Sequence, residues 1–168
     1  MQSGDYNQSM TIANNVTRML DAQGVHYEVF ALPPEKLSAL EAAALMQADP
    51  ELVFKTVVVL AESPRKPLLV LVSGLSVVDL KKVASALGEK KVRLPTEREA
   101  EALTGLQAGG ISPLALLNKG FRTLIDLAAR EHADIHVSGG ERGLNIKLSV
   151  EDLARLTGAR FAELSRPA

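Results

Sequence analysis

The chain alternates between a helical and an extended hydrophobic rhythm. From Thr11 to Gln23 the apolar positions Ile12, Val16, Met19 and Leu20 recur at helical spacing, and Gly24 marks the stop. "VHYEVFAL" alternates as a strand does. Ser38 opens a second helix running to about Ala48, and Glu41 completes a capping box. "DPELVF" is a tight or short helical turn leading into a β-branched run from Thr56 to Leu60. Such a run reads as a strand buried on both faces. "PLLVLVSG" is a second buried strand, with "ESPRK" as the hairpin loop between them. Asp79 starts the helix "DLKKVASALG", with Gly88 as its stop, and "KKVRL" is a short strand. Thr96 and Glu99 form another capping box at the head of "EREAEALTG". "LQAGGISP" then breaks all periodicity. "FRTLIDLA", "DIHVSGG" and "LNIKLS" follow as strands, Ser149 caps a last helix with Asp152 in its first turn, and "ARFAELS" closes as a strand. Several strands are neighbours in sequence, so the pattern predicts a mixed α/β fold whose sheet is largely antiparallel or mixed.

At 168 residues one domain is expected, large enough to bury roughly 70% of the surface of the unfolded chain. The opening "MQSGDYNQSM" is polar, with no basic patch ahead of an apolar stretch. Residues 1–10 are therefore expected to be a disordered lead, and 11–168 the folded domain. The apolar runs are far too short to span a membrane, and the cytosol is the expected compartment. The chain has no cysteine, which excludes disulfides, thiolate metal sites and a cysteine nucleophile. A formal net charge of −1 offers no global argument for nucleic acid. The local clusters Arg65/Lys66, Lys81/Lys82 and Lys90/Lys91/Arg93 read first as solvated faces.

Three features could carry chemistry. Lys55 stands at the mouth of a buried strand, where a cation must snorkel to water, find a partner or serve a pocket. "AGGISP" (Ala108 to Pro113) and "SGGERG" (Ser138 to Gly143) are glycine-rich turns. Such turns permit positive φ and close approach, and their N–H groups can form an anion nest or an oxyanion hole. Taken alone, each is first a plain turn, and neither is a phosphate fingerprint. His132 and His136 are four apart, but His136 lies in strand-like "DIHV" with no matching glutamate motif, so no metal or other cofactor is expected. The residues themselves describe a pocket with a cation and backbone donors, suited to a polar or anionic ligand.

Taken in order, "VFKT", "DLKKVASALG", "GGISP" and "VSGGERGLNI" resemble the YbaK/ProX family, free-standing relatives of the editing domain in prolyl-tRNA synthetases. The resemblance runs from about Val16 to Leu164. It implies a single α/β domain with a mixed, partly barrel-like sheet flanked by helices. It also implies a trans-editing aminoacyl-tRNA deacylase that hydrolyses the ester of mischarged tRNA. Cys-tRNA(Pro), or another small aminoacyl group on tRNA(Pro), is the expected substrate, with no cofactor. The partners it implies are the acceptor end of mischarged tRNA and, as a candidate, prolyl-tRNA synthetase. The alternative is a non-catalytic module that binds a tRNA end or nucleotide and docks on a synthetase.

Carried over by position, the resemblance assigns Lys55, Gly109, Gly110 and Ser138 to the reacting centre. It assigns Phe30, Thr56, Ile111, Ser112, Pro113, Gly139, Gly140 and Asn145 to substrate contact. In the family's cysteine-specific branch the substrate thiol attacks its own ester, which suits a chain without an evident base; Lys55 then supplies charge and a donor. Two positions depart from that branch: Phe30 stands where it often has tyrosine, and Asn145 where its "GLD" has aspartate. Both changes remove polar contacts to the aminoacyl group, which predicts acceptance of more than one small group, cysteine and alanine included.

Overall fold

The computed structural model describes residues 13–62 and 67–168. The expected N-terminal lead, Thr11 and Ile12 of the first predicted helix, and most of "ESPRK", with Arg65 and Lys66, lie outside the described residues. Helix α1 spans Asn15–Ala22, with Asn14 rather than Thr11 as its start. The Asn14 side chain accepts from the Thr17 N–H and the Thr17 hydroxyl accepts from the Asn14 N–H, both at 2.9 Å, so threonine here does the work of the usual glutamate. Strand β1 is Tyr27–Ala31 and helix α2 is Ala39–Met46, with the Ser38/Glu41 capping box in place. A 3₁₀ turn at Pro50–Leu52 leads into β2, Phe54–Ala61, which pairs antiparallel with β3, Leu68–Ser73. A short strand β4, Ser76–Val78, which the sequence pattern did not reveal, precedes α3, Leu80–Leu87. Asp79 caps α3, and Gly88 ends it at φ +70°.

Next come β5, Val92–Arg93, and α4, Glu97–Thr104, with its Thr96/Glu99 capping box. A 3₁₀ turn at Pro113–Leu116 leads to β6, Arg122–Asp126. The predicted strand "FRTLIDLA" stops at Asp126 because its carboxylate accepts from the Ala128 N–H and starts a 3₁₀ turn. Strands β7, Asp134–Ser138, and β8, Leu144–Ser149, form a hairpin, and Ser149 caps α5, Val150–Thr157. "ARFAELS" divides into β9, Arg160–Ala162, and a separate β10, Ser165–Pro167, which pairs with β4.

The strands form a five-stranded sheet in the order β5-β2-β3-β6-β9, a three-stranded sheet β1-β8-β7, and the β10-β4 pair. The large sheet is mixed: β3 pairs antiparallel with β2 and parallel with β6. Among the described residues the sheets do not close into a barrel, although one bridge, Val53 with His136, joins the two larger ones. One face of the five-stranded sheet packs Val57, Val59, Val70 and Val72 against Val83 and Ala84 of α3. The other face sends Phe54, Leu71 and Ile125 into a core shared with α1, α5 and the apolar side of the three-stranded sheet. Alternation leaves that small sheet a second, polar side, carrying Glu28, Phe30, His136, Ser138, Asn145 and Lys147.

Candidate functional site

Strand β2 explains where the site lies. Its second edge pairs with β5 only at Leu60 and Ala61. Among the described residues, Lys55 to Val59 have no strand on that side. A cleft of about 580 Å³ opens there, bordered by β2, the segment 32–42, the heads of α2 and α4, and both glycine turns. The volume is ordinary for a ligand site. Phe54, Val58 and Val59 are buried, but the expectation of burial on both faces fails at Lys55, Thr56 and Val57, which are half-buried where the cleft replaces a neighbouring strand.

Lys55 has no ion-pair partner among the described residues, and desolvation lowers its pKa from the ordinary lysine value. The Thr56 hydroxyl oxygen is shielded from solvent and has no hydrogen-bond partner among the described residues. A buried polar group left unpaired costs about 1–3 kcal/mol. The first turns of α2 and α4 also border the cleft through Ser38, Ala39, Thr96 and Glu97. The N-terminal ends of two helices therefore border it, their partial positive charge offset by the carboxylates of Glu41, Glu97 and Glu99 in those first turns.

The two glycine turns converge. A side-chain carbon on Gly110 would stand 2.8 Å from the Glu141 backbone, and the Arg142 Nε–H donates to the Ala108 carbonyl at 2.7 Å. Gly110 is therefore required by backbone approach between the turns. The positive φ, +90°, belongs to Gly109, which packs on the backbone of Lys36.

Of the sequence-assigned residues, Lys55, Thr56, Gly109, Ile111, Ser138 and Asn145 border the cleft. The others fall outside that border. The Gly110 N–H donates to the Gln107 carbonyl, and the Gly139 N–H to the Leu144 carbonyl. The Gly140 N–H donates to the Ser138 hydroxyl at 3.3 Å. Ser112 is fully buried, its hydroxyl accepting from the Leu114 N–H, and Pro113 is buried at the start of the 3₁₀ turn. Phe30 stands behind the wall, its ring 5.1 Å from that of His136. Asn145 is in the wall at 6% exposure, with its Oδ1 3.0 Å from His136 Nδ1.

Sequence reasoning missed several cleft residues. Leu40 and Leu94 are exposed leucines on its border, and Lys36 forms an ion pair with Glu97 from the segment before α2 to the head of α4. The capping boxes were a usable signal, since they marked the helix heads that frame the cleft. Among the described residues, no three His, Asp or Glu side chains gather as a metal site would need, and no helix is long and apolar enough to cross a membrane.

The aminoacyl-tRNA editing domain model matches residues 33–156. The chain is 35% identical over 153 residues to "Putative Cys-tRNA(Pro)/Cys-tRNA(Cys) deacylase EbsC" of Enterococcus faecalis, covering 90% of this chain and 92% of that protein. A solved structure titled as a "putative trans-editing enzyme for prolyl tRNA synthetase" superposes with a TM-score of 0.78 at 28% identity, covering 93% of this chain and 99% of its own. The crystal structure of a hypothetical protein superposes with a TM-score of 0.83 at 25% identity, covering 91% of this chain and all of its own.

Proposed function

The chain belongs to the aminoacyl-tRNA editing domain family, and on that premise we propose that its cleft is the reacting centre of a trans-editing deacylase for Cys-tRNA(Pro) and other small aminoacyl groups on tRNA(Pro). The observation that carries this reading is the unpaired Lys55 ammonium on an open strand edge, next to the unpartnered Thr56 hydroxyl. An ester carbonyl oxygen beside the Lys55 ammonium is polarised, and the oxyanion that develops on attack is stabilised. The attacking atom is a water oxygen or the cysteine thiol of the substrate itself. It bonds to the carbonyl carbon, the bond to the ribose oxygen breaks, and that oxygen leaves as a hydroxyl of the tRNA, the proton lost by the nucleophile balancing the one it gains. Gly109, Ile111 and Ser138 shape the space for the aminoacyl group. The relative's name supports cysteine on tRNA(Pro) as the leading substrate, and the solved structure's title supports prolyl-tRNA synthetase as a candidate partner. Such work places the protein with the translation machinery in the cytoplasm.

The test is a deacylation panel of Cys-, Ala- and Ser-tRNA(Pro). The natural chain should release cysteine and alanine. Lys55→Ala should turn over at least ~10-fold more slowly; loss of one oxyanion donor typically costs about 10²–10³-fold. Unchanged turnover in a folded Lys55→Ala variant would remove Lys55 from the reaction.

A further inference from the structure

His136 is 3% exposed and does not border the cleft, yet it touches a residue that does. Its Nδ1 lies 3.0 Å from Asn145 Oδ1. A carboxamide oxygen only accepts, so Nδ1 carries the hydrogen and donates it. Burial favours the uncharged ring: desolvation lowers the His136 pKa, Lys147 adds to that effect, and Asn145, Glu28 and Asp134 oppose it. Phe30 packs against the ring, and the Val53 bridge ties down the His136 backbone. With Oδ1 engaged, Asn145 Nδ2 has no hydrogen-bond partner among the described residues, nor is it one of their shielded, unpartnered atoms. Asn145 itself borders the cleft, so Nδ2 is the polar atom it has free to offer there.

Resting on the deacylase reading of the cleft, we infer that His136 is a positioning residue that commits Asn145 to present an N–H donor to an oxygen of the aminoacyl ester. A substrate α-ammonium carries only donors and finds no acceptor there. The Asn145 position thus recognises an acyl or ribose oxygen, and it does so through a ring that never meets the substrate.

Two measurements on the full chain test this. Long-range ¹H–¹⁵N correlation reads the tautomer of each histidine, with His136 assigned by its loss in His136→Gln. Hydrogen on Nδ1 is expected; hydrogen on Nε2 overturns the inference whatever the activity. Deacylation kinetics on Cys-tRNA(Pro) give the second readout. His136→Leu should lower kcat about 10-fold, the lower end for loss of an orienting partner, with KM within about twofold. His136→Gln retains an N–H donor and should recover most of that loss, which a purely structural role would not predict. In Asn145→Ala, adding His136→Leu should cost nothing further. Full kcat in His136→Leu, or multiplying losses in the double variant, overturns the inference while Lys55→Ala still reports on the deacylase reading. A natural chain with the Nδ1–H tautomer and no deacylation supports the orientation of Asn145 and sinks the deacylase reading.

Discussion

β2 and β3 are neighbours, paired over six positions and similarly rich in valine and leucine, yet they do different work. β3 is buried at every residue because β2 and β6 flank it and packed cores cover both its faces. β2 has the same partner on one side and, over Lys55 to Val59, a cleft on the other. The difference is one missing strand. An unpaired edge is a hazard that proteins usually cover. Here it is recessed behind the segment 32–42 and the glycine turns, where a lysine and a threonine can stand half-exposed among valines. Stability is thus concentrated in β3, and chemistry in the adjoining strand.

The sharpest way to break this contrast is to exchange the two kinds of damage. Leu71→Ala in β3 removes a fully buried side chain and should cost about 2–5 kcal/mol in denaturant unfolding. Turnover by the molecules that remain folded should be close to normal. Gly110→Val attacks the other cleft wall. Its added carbons meet the Glu141 backbone and force the two glycine turns apart. A displacement of about 1 Å can cost ~10²-fold in rate, so kcat/KM should fall by that order while β3 stays protected from hydrogen exchange. Normal turnover in this variant would show that the contact between the turns serves packing alone.

Thr56→Val keeps the shape and removes the unpartnered hydroxyl. It should stabilise the fold by about 1 kcal/mol while reducing kcat/KM several-fold. A loss of stability would mean that the hydroxyl has a partner in solution. The smallest effect on stability is that of Lys55→Met. Desolvation lowers the Lys55 pKa in the folded state, so folding disfavours its charge. The resulting penalty is present at neutral pH and fades as pH rises through the folded pKa towards the unfolded value. Lys55→Met should therefore unfold at slightly higher denaturant than the natural chain at pH 7, with the gap narrowing at alkaline pH. A gap that widens would mean that a carboxylate partners the ammonium.

The sequence by itself determined the pieces held by local interactions. The Ser38/Glu41 and Thr96/Glu99 boxes, the Asp79 and Ser149 caps and the Gly88 stop were legible because each joins residues only a few positions apart. Lys55 was legible too, since a cation heading an apolar run is conspicuous without any fold. The rest depends on residues far apart in the chain. Whether β2 has a second neighbour depends on where β5 stops pairing, more than thirty residues downstream. Gly110 is needed because Glu141 comes to meet it, and no local rule contains that distance. Phe30 and Asn145 lie on the same side of paired strands, yet Asn145 borders the cleft while Phe30 packs against a histidine behind it. Alternation assigns a side chain to a face of its sheet; only the tertiary arrangement of the sheets decides what that face meets.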